Sequence, residues 1–255
     1  VPARVIASSR GIASPRAIAS PRGWASPRGF TGVQQFLPSD IADLLIWLTA
    51  DDLGLADATA VAAWANKGSG ADFSQATADN RPIFKVAIQN GLGVVRFDGG
   101  NDVLLSDSVM SLAQPCTLYL VAQRTGNTSA FNVVISQDPE AVAAGFNNAV
   151  NTWYTFTNPA LVSQAAADNA FHIMAATIDG ASSVMRTDGV ANAVALDAGD
   201  VTADTWAVGA TVAAGAPLAG DIGEILVYAG EHTAGQIDLV EGYLASASRW
   251  GITLA

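Results

Sequence analysis

Proline recurs every six residues over positions 15–27, and that period alone forbids a continuous helix there. Pro15, Pro21 and Pro27 follow Ser14, Ser20 and Ser26, and Ser8 keeps the same step. Each proline also drives the residue before it towards extended geometry. Arg4, Arg10, Arg16, Arg22 and Arg28 share the step, as do Ile6, Ile12, Ile18, Trp24 and Phe30. Six is a whole number of two-residue strand periods, so on an extended chain these side chains share one face. Residues 1–35 are therefore read as an extended, repetitive basic arm. Such an arm cannot bury its own large apolar groups. It is expected to offer Arg4, Arg10, Ile12, Arg16, Ile18, Arg22, Trp24, Arg28 and Phe30 to sites on other subunits.

Charge divides the chain at the same place. Residues 1–34 hold five arginines and no acid, a charge of +5. The other seven bases face 23 acids, which leaves −16 for the remainder and −11 overall. Two other readings of the arm are a flexible linker and a nucleic-acid-binding tail. A linker has no physical reason to keep a guanidinium and a bulky apolar group at constant spacing. Phosphate would be repelled by the −16 remainder, so nucleic acid is not expected as a partner. Docking onto other assembly subunits is expected, with the protein as a homo-oligomer.

From Phe36 onward, short β-rich runs alternate with Gly, Asn and Asp clusters. Strands are predicted over residues 44–50, 60–64, 82–86, 94–97, 103–106, 117–124, 133–136, 153–157, 171–178, 183–187, 190–194, 206–210 and 221–228. Asp179-Gly180 and Asp188-Gly189 separate three of them, which reads as an antiparallel meander. Pro38-Ser39-Asp40 predicts a short helical turn. One helix is predicted near the C-terminus, capped by Thr233 with Gln236 completing a capping box. Its apolar face is Ile237, Val240, Tyr243, Leu244 and Ala247, and Gly251 is expected to end it. Residues 36–255 are thus expected to be one all-β sandwich or barrel with a C-terminal helix.

Hydrophobic residues make up 50% of the chain, enough for a large core. The apolar runs, residues 44–48 and 141–144 among them, fall far short of the roughly 20 residues needed to span a bilayer. No membrane association and no secretory signal are expected. The lone Cys116 precludes an intrachain disulfide and is expected to be a buried structural thiol.

Six stretches carry a resemblance, in order and spacing. They are Leu44-Leu45-Ile46-Trp47-Leu48-Thr49-Ala50-Asp51, then Val61-Ala62-Ala63-Trp64-Ala65-Asn66-Lys67-Gly68-Ser69-Gly70 and Asn80-Arg81-Pro82. Val95-Arg96-Phe97-Asp98-Gly99, Gly223-Glu224-Ile225-Leu226-Val227-Tyr228 and Val240-Glu241-Gly242-Tyr243-Leu244 complete the series. Residues 36–255 resemble the concanavalin A-like (laminin-G-like) jelly-roll domains of bacteriophage virion proteins and bacterial surface proteins. Asn66 stands where such domains often have Asp. The resemblance implies a jelly-roll β-sandwich, and its members include sugar binders, glycan hydrolases and structural modules.

Glycan hydrolysis needs two carboxylates about 5–9.5 Å apart across the scissile bond. Glu224 is alone in its strand, and Asp221, three residues away, is expected on the opposite face. A structural role is expected for Glu224. Asp98, Asn101 and Asp102 around Gly99-Gly100 form a candidate calcium set, with a self-bonded Asp/Asn-Gly turn as the other reading. His172 and His232 are far apart in sequence, and no nucleophile elbow or phosphate loop appears. Asn147, Asn148, Asn151, Trp153 and Tyr154 form a polar-aromatic cluster suited to a glycan contact, or to a hairpin with half-buried aromatics. The sequence therefore reads as a non-enzymatic virion protein, a head decoration or fibre-like component, assembled in the host cytoplasm. A carbohydrate-binding adhesin on the bacterial surface is the alternative, and a glycan hydrolase a third reading. No cofactor is expected.

Overall fold

Strand runs that alternate between two apolar faces need two partners, and the chain supplies both by folding into two antiparallel sheets packed face to face. The structure, a computed structural model, describes residues 35–127, 129–138, 142–157, 160–166, 168–192 and 205–255. The arm residues Arg4, Arg10, Ile12, Arg16, Ile18, Arg22, Trp24, Arg28 and Phe30 lie outside the described residues.

The described strands are β1 (Leu44–Thr49), β2 (Ala63–Trp64), β3 (Phe73–Ser74), β4 (Ile83–Gln89), β5 (Leu92–Asp98), β6 (Leu104–Ser106), β7 (Cys116–Arg124) and β8 (Phe131–Asp138). They continue as β9 (Ala143–Asn147), β10 (Thr152–Thr157), β11 (Ala160–Ala166), β12 (His172–Ile178), β13 (Val184–Thr187), β14 (Val190–Asn192), β15 (Thr205–Val208) and β16 (Ala219–Ala229). Helix α1 (Ala234–Ala245) follows. One sheet runs β14-β13-β12-β7-β16-β5-β4, and β1 also pairs with β16. The other runs β11-β10-β9-β8-β15-β6-β3-β2. The meander of β12, β13 and β14 forms as predicted, with Asp188-Gly189 at its second turn.

Between the sheets lies the main core, with Trp64, Phe73, Phe97, Phe146, Trp153 and Trp206 among its buried members. A second apolar layer covers the other face of the first sheet, where Val240, Tyr243 and Leu244 of α1 and Trp250 pack on Tyr119, Val121, Leu226 and Tyr228. This double cover explains the unbroken apolar run of β7. Leu118, Leu120 and Ala122 face the sandwich, while Tyr119 and Val121 face the helix layer. Cys116 is buried at the start of β7, and burial pushes its thiol up to about 12.

Helix α1 opens with the predicted box. The Thr233 amide donates to Gln236 Oε1 at 2.9 Å, and the Gln236 amide reaches Thr233 Oγ1 at 3.4 Å. It ends at Ala245 because Ser246 turns to extended backbone, so Ala247, predicted on the buried face, lies beyond the helix and is exposed. Gly251, with φ 62, sits in the tail after Trp250.

Candidate functional site

Two carboxylates on β16 answer the question of a paired-acid site. The register of β16 slips between Ile222 and Glu224, so the extra residue, Gly223, places Asp221 and Glu224 on the same face. This corrects the expectation of opposite faces, which assumed a regular strand. Both acids are fully buried. Asp221 accepts from Arg96 Nε at 2.6 Å and Nη2 at 2.8 Å, and from Gln123 Nε2 at 2.6 Å. Glu224 accepts from Trp47 Nε1 at 2.8 Å, Trp250 Nε1 at 2.7 Å, Arg249 Nη2 at 2.5 Å and the Tyr243 hydroxyl at 3.4 Å. A buried carboxylate held by that many donors ties β1, β16 and the C-terminal tail together. Gly223 permits this, since a Cβ there would stand 2.6 Å from the Trp250 ring.

The candidate calcium residues bond their own surroundings. The Gly100 amide donates to Asp98 Oδ1 at 2.7 Å, and the Asp98 amide to Asp102 Oδ2 at 3.0 Å. Asn101 Nδ2 donates to Asn80 Oδ1 at 2.7 Å and the Asp79 carbonyl at 3.1 Å. Burial holds the Asp102 carboxyl above its ordinary range. Among the described residues no group of three or more His, Cys, Asp or Glu side chains is arranged to hold a metal ion.

One end of the sandwich gathers polar side chains from both sheets. The end of β7, the starts of β8, β10 and β12, and the β9–β10 and β13–β14 turns meet there. Arg124 Nη1 donates to Asn148 Oδ1 at 2.9 Å. Asn148 Nδ2 donates in turn to Asn132 Oδ1 at 2.7 Å and the Ser129 carbonyl at 2.6 Å. Asn132 Nδ2 reaches the Pro217 carbonyl at 2.5 Å. This chain of amides fixes the loops between β7 and β8 and between β9 and β10 against each other.

Beside it, His172 is held between two carboxylates. Nδ1 lies 2.5 Å from Asp188 Oδ2, and Nε2 lies 2.8 Å from Asp168 Oδ1. The Asp188 hydrogen bond, with help from Asp168 and against burial, raises the imidazole to about 9, so it is a cation at neutral pH. Its hydrogen bond holds the Asp168 carboxyl below the usual carboxylate range. Asp168 keeps 67% of its side chain exposed and follows β11, whose Ala166 pairs with Thr152, while Val150 and Asn151 are exposed in the β9–β10 turn just before Thr152. The rim thus presents an acid, an amide and an apolar side chain to solvent, on loops pinned from behind.

Of the residues read as glycan contacts, Asn148 and Asn151 are at this rim, but the aromatics are not a platform. Trp153 is fully buried against Phe146, with ring centroids 4.2 Å apart, and Tyr154 is buried against Phe131 at 5.2 Å. Adjacent residues of a strand point to opposite faces, and both faces of β10 are covered here. Arg124, Asp168, His172 and Asp188 were not anticipated. They lie 4–64 positions apart and meet only through the pairing of β7 with β12 and β12 with β13.

No protein-family model matches this chain, and no curated protein matches it in sequence. Solved structures match its fold. A Trypanosoma rangeli sialidase in complex with sialic acid aligns with a TM-score of 0.56 at 11% identity, covering 80% of this chain and 33% of the sialidase. Domain 4 of AbnA, a GH43 extracellular arabinanase from Geobacillus stearothermophilus, in complex with arabinotriose, aligns at 0.50 and 13% identity, covering 77% of this chain and 98% of that domain. The botulinum neurotoxin serotype D binding domain aligns at 0.53 and 9% identity, covering 79% of this chain and 51% of that one. At such identities the likeness is one of fold, a β-sandwich, and this chain spans about a third of the sialidase's length.

These neighbours overturn the expectation that the chain is not an enzyme. That expectation rested on finding no acid pair or nucleophile signature in the sequence. The same sandwich occurs in two glycoside hydrolases, a sialidase and an arabinanase, so the exclusion of glycan hydrolysis is withdrawn.

Proposed function

We propose that residues 36–255 are a glycan-binding, lectin-like module, and that residues 1–35 join it to a larger assembly. The observation that carries this reading is the sandwich end. There Asp168, Asn151 and Val150 face solvent on loops held by the Arg124–Asn148–Asn132 chain and the His172 clasp. Carboxylate and amide groups bond sugar hydroxyls, and an apolar side chain covers a ring face. Pinned loops lower the ordering cost of binding. The arabinotriose complex of the arabinanase domain, alike over nearly its whole length, supports a saccharide ligand for this sandwich.

The assembly is, in this proposal, a virion that displays the module as a decoration or fibre-like component. The six-residue arm repeat supports it, because several modest contacts in one chain raise avidity without one tight site. A surface adhesin with the same arm is the second reading, supported by the same repeat.

The test is a glycan array with the full chain and two surface variants, Asp168→Ala and Asn151→Ala. Binding to a defined saccharide, weakened at least about tenfold in either variant at unchanged thermal stability, is expected. An array without a bound saccharide, or binding that both variants keep in full, refutes the placement.

A further inference from the structure

We infer that the module reads uncharged glycans and rejects acidic ones, including sialylated, sulfated and uronate-bearing chains. The inference rests on the glycan-binding reading and adds the class of ligand. It comes from where the positive charge of residues 36–255 has gone.

That part of the chain has seven bases, and all seven are among the described residues. Five are spent in ion pairs: Lys67 with Asp52, Lys85 with Asp57, Arg96 with Asp221, Arg186 with Glu241 and Arg249 with Glu224. Arg81 donates to the carbonyls of Gln75 and Ala76 at 2.7 and 2.9 Å. At the sandwich end, Arg124 is bonded to Asn148, and both ring nitrogens of His172 are taken by carboxylates. The other histidine, His232, is buried and held neutral, its imidazole lowered to about 4 by burial.

An acidic sugar is gripped by a guanidinium fork or an ammonium group. At the sandwich end it would have to strip Arg124 from Asn148, or His172 from Asp188 and Asp168, leaving that amide or carboxylate without its donor. It would also approach a module whose sequence holds sixteen more acids than bases, and at the rim it would meet the exposed Asp168. A neutral hydroxyl faces neither cost, and a carboxylate accepts from it directly. The sialidase fold neighbour therefore does not set the ligand of this chain.

The experiment uses the full chain carrying Arg4→Gln, Arg10→Gln, Arg16→Gln, Arg22→Gln and Arg28→Gln, so that the arm cannot capture anions. Galactose-terminated oligosaccharides and the same chains capped with sialic acid are compared on one array at low salt. Uncapped chains are expected to bind, with capping lowering affinity at least about tenfold and the gap narrowing as salt screens the repulsion. On a heparin column at low salt the same protein is expected to pass unretained. Equal or tighter binding of capped chains, or retention on heparin, overturns the inference while leaving glycan binding in place. Absence of binding to every saccharide, acidic or not, sinks the glycan reading beneath it.

Discussion

Glu224 is fully buried and accepts four side-chain hydrogen bonds. Removing it leaves the half-buried Arg249 with its ion-pair partner gone and two indole N–H groups without their acceptor. Glu224→Ala is expected to cost about 3–5 kcal/mol in urea-melt stability, and a loss below about 1 kcal/mol would show that the network contributes little. The two histidines give the protein a pH signature. His172, raised to about 9, stabilises fully below its unfolded value of 6.5, and that contribution is lost as pH rises through 9. His232, lowered to about 4, acts in the opposite sense, and its contribution is present above 6.5 and lost as pH falls towards 4. From these two groups stability should peak near pH 6.5. His172→Gln should flatten the alkaline limb of a melting-temperature profile and leave the fall between pH 6.5 and 4, which belongs to His232, alone. At this scale the sequence was partly legible. Asn66, standing where Asp is frequent in the resembling domains, accepts from the Trp47 amide as an acid would, but it also donates to the Leu45 carbonyl at 2.9 Å, which an ionised Asp cannot do. The Arg124 and His172 clusters were not legible, because each is assembled by strand pairing and not by spacing.

Elements with strong local chemistry were readable in advance. The capping box of α1, the Asp188-Gly189 turn and the apolar run of β7 each announce themselves by residue type. Strands β9 and β11 did not. Ala-Ala-Gly-Phe-Asn and Ala-Leu-Val-Ser-Gln-Ala-Ala have little β-propensity, and their neighbours in the sheet impose the conformation. The bulge at Gly223 was equally hidden, and it alone reversed the facing of Asp221. Two glycine substitutions separate a packed element from an open one. Gly223→Ala drives a Cβ into the Trp250 ring and should lower the melting temperature clearly. Gly242→Ala, on α1 with open space around it, should raise stability by about 0.5–1 kcal/mol. Equal effects of the two would contradict the packing of the tail over β16.

For the whole molecule, the buried core and the proposed attachment belong to different parts of the chain. Residues 36–255 contain the buried core clusters, so deleting residues 1–32 is expected to leave the melting temperature nearly unchanged while abolishing incorporation into the assembly. Incorporation at the normal level after that deletion would move the docking site to the sandwich. The glycan reading is tested most directly by a backbone-amide NMR titration of the full chain with a neutral oligosaccharide that it binds on the array. The predicted result is saturable shifts clustered at Val150, Asn151, Asp168 and His172. Shifts confined to α1 and the β1–β16 pairing, with those four residues unmoved, would contradict it.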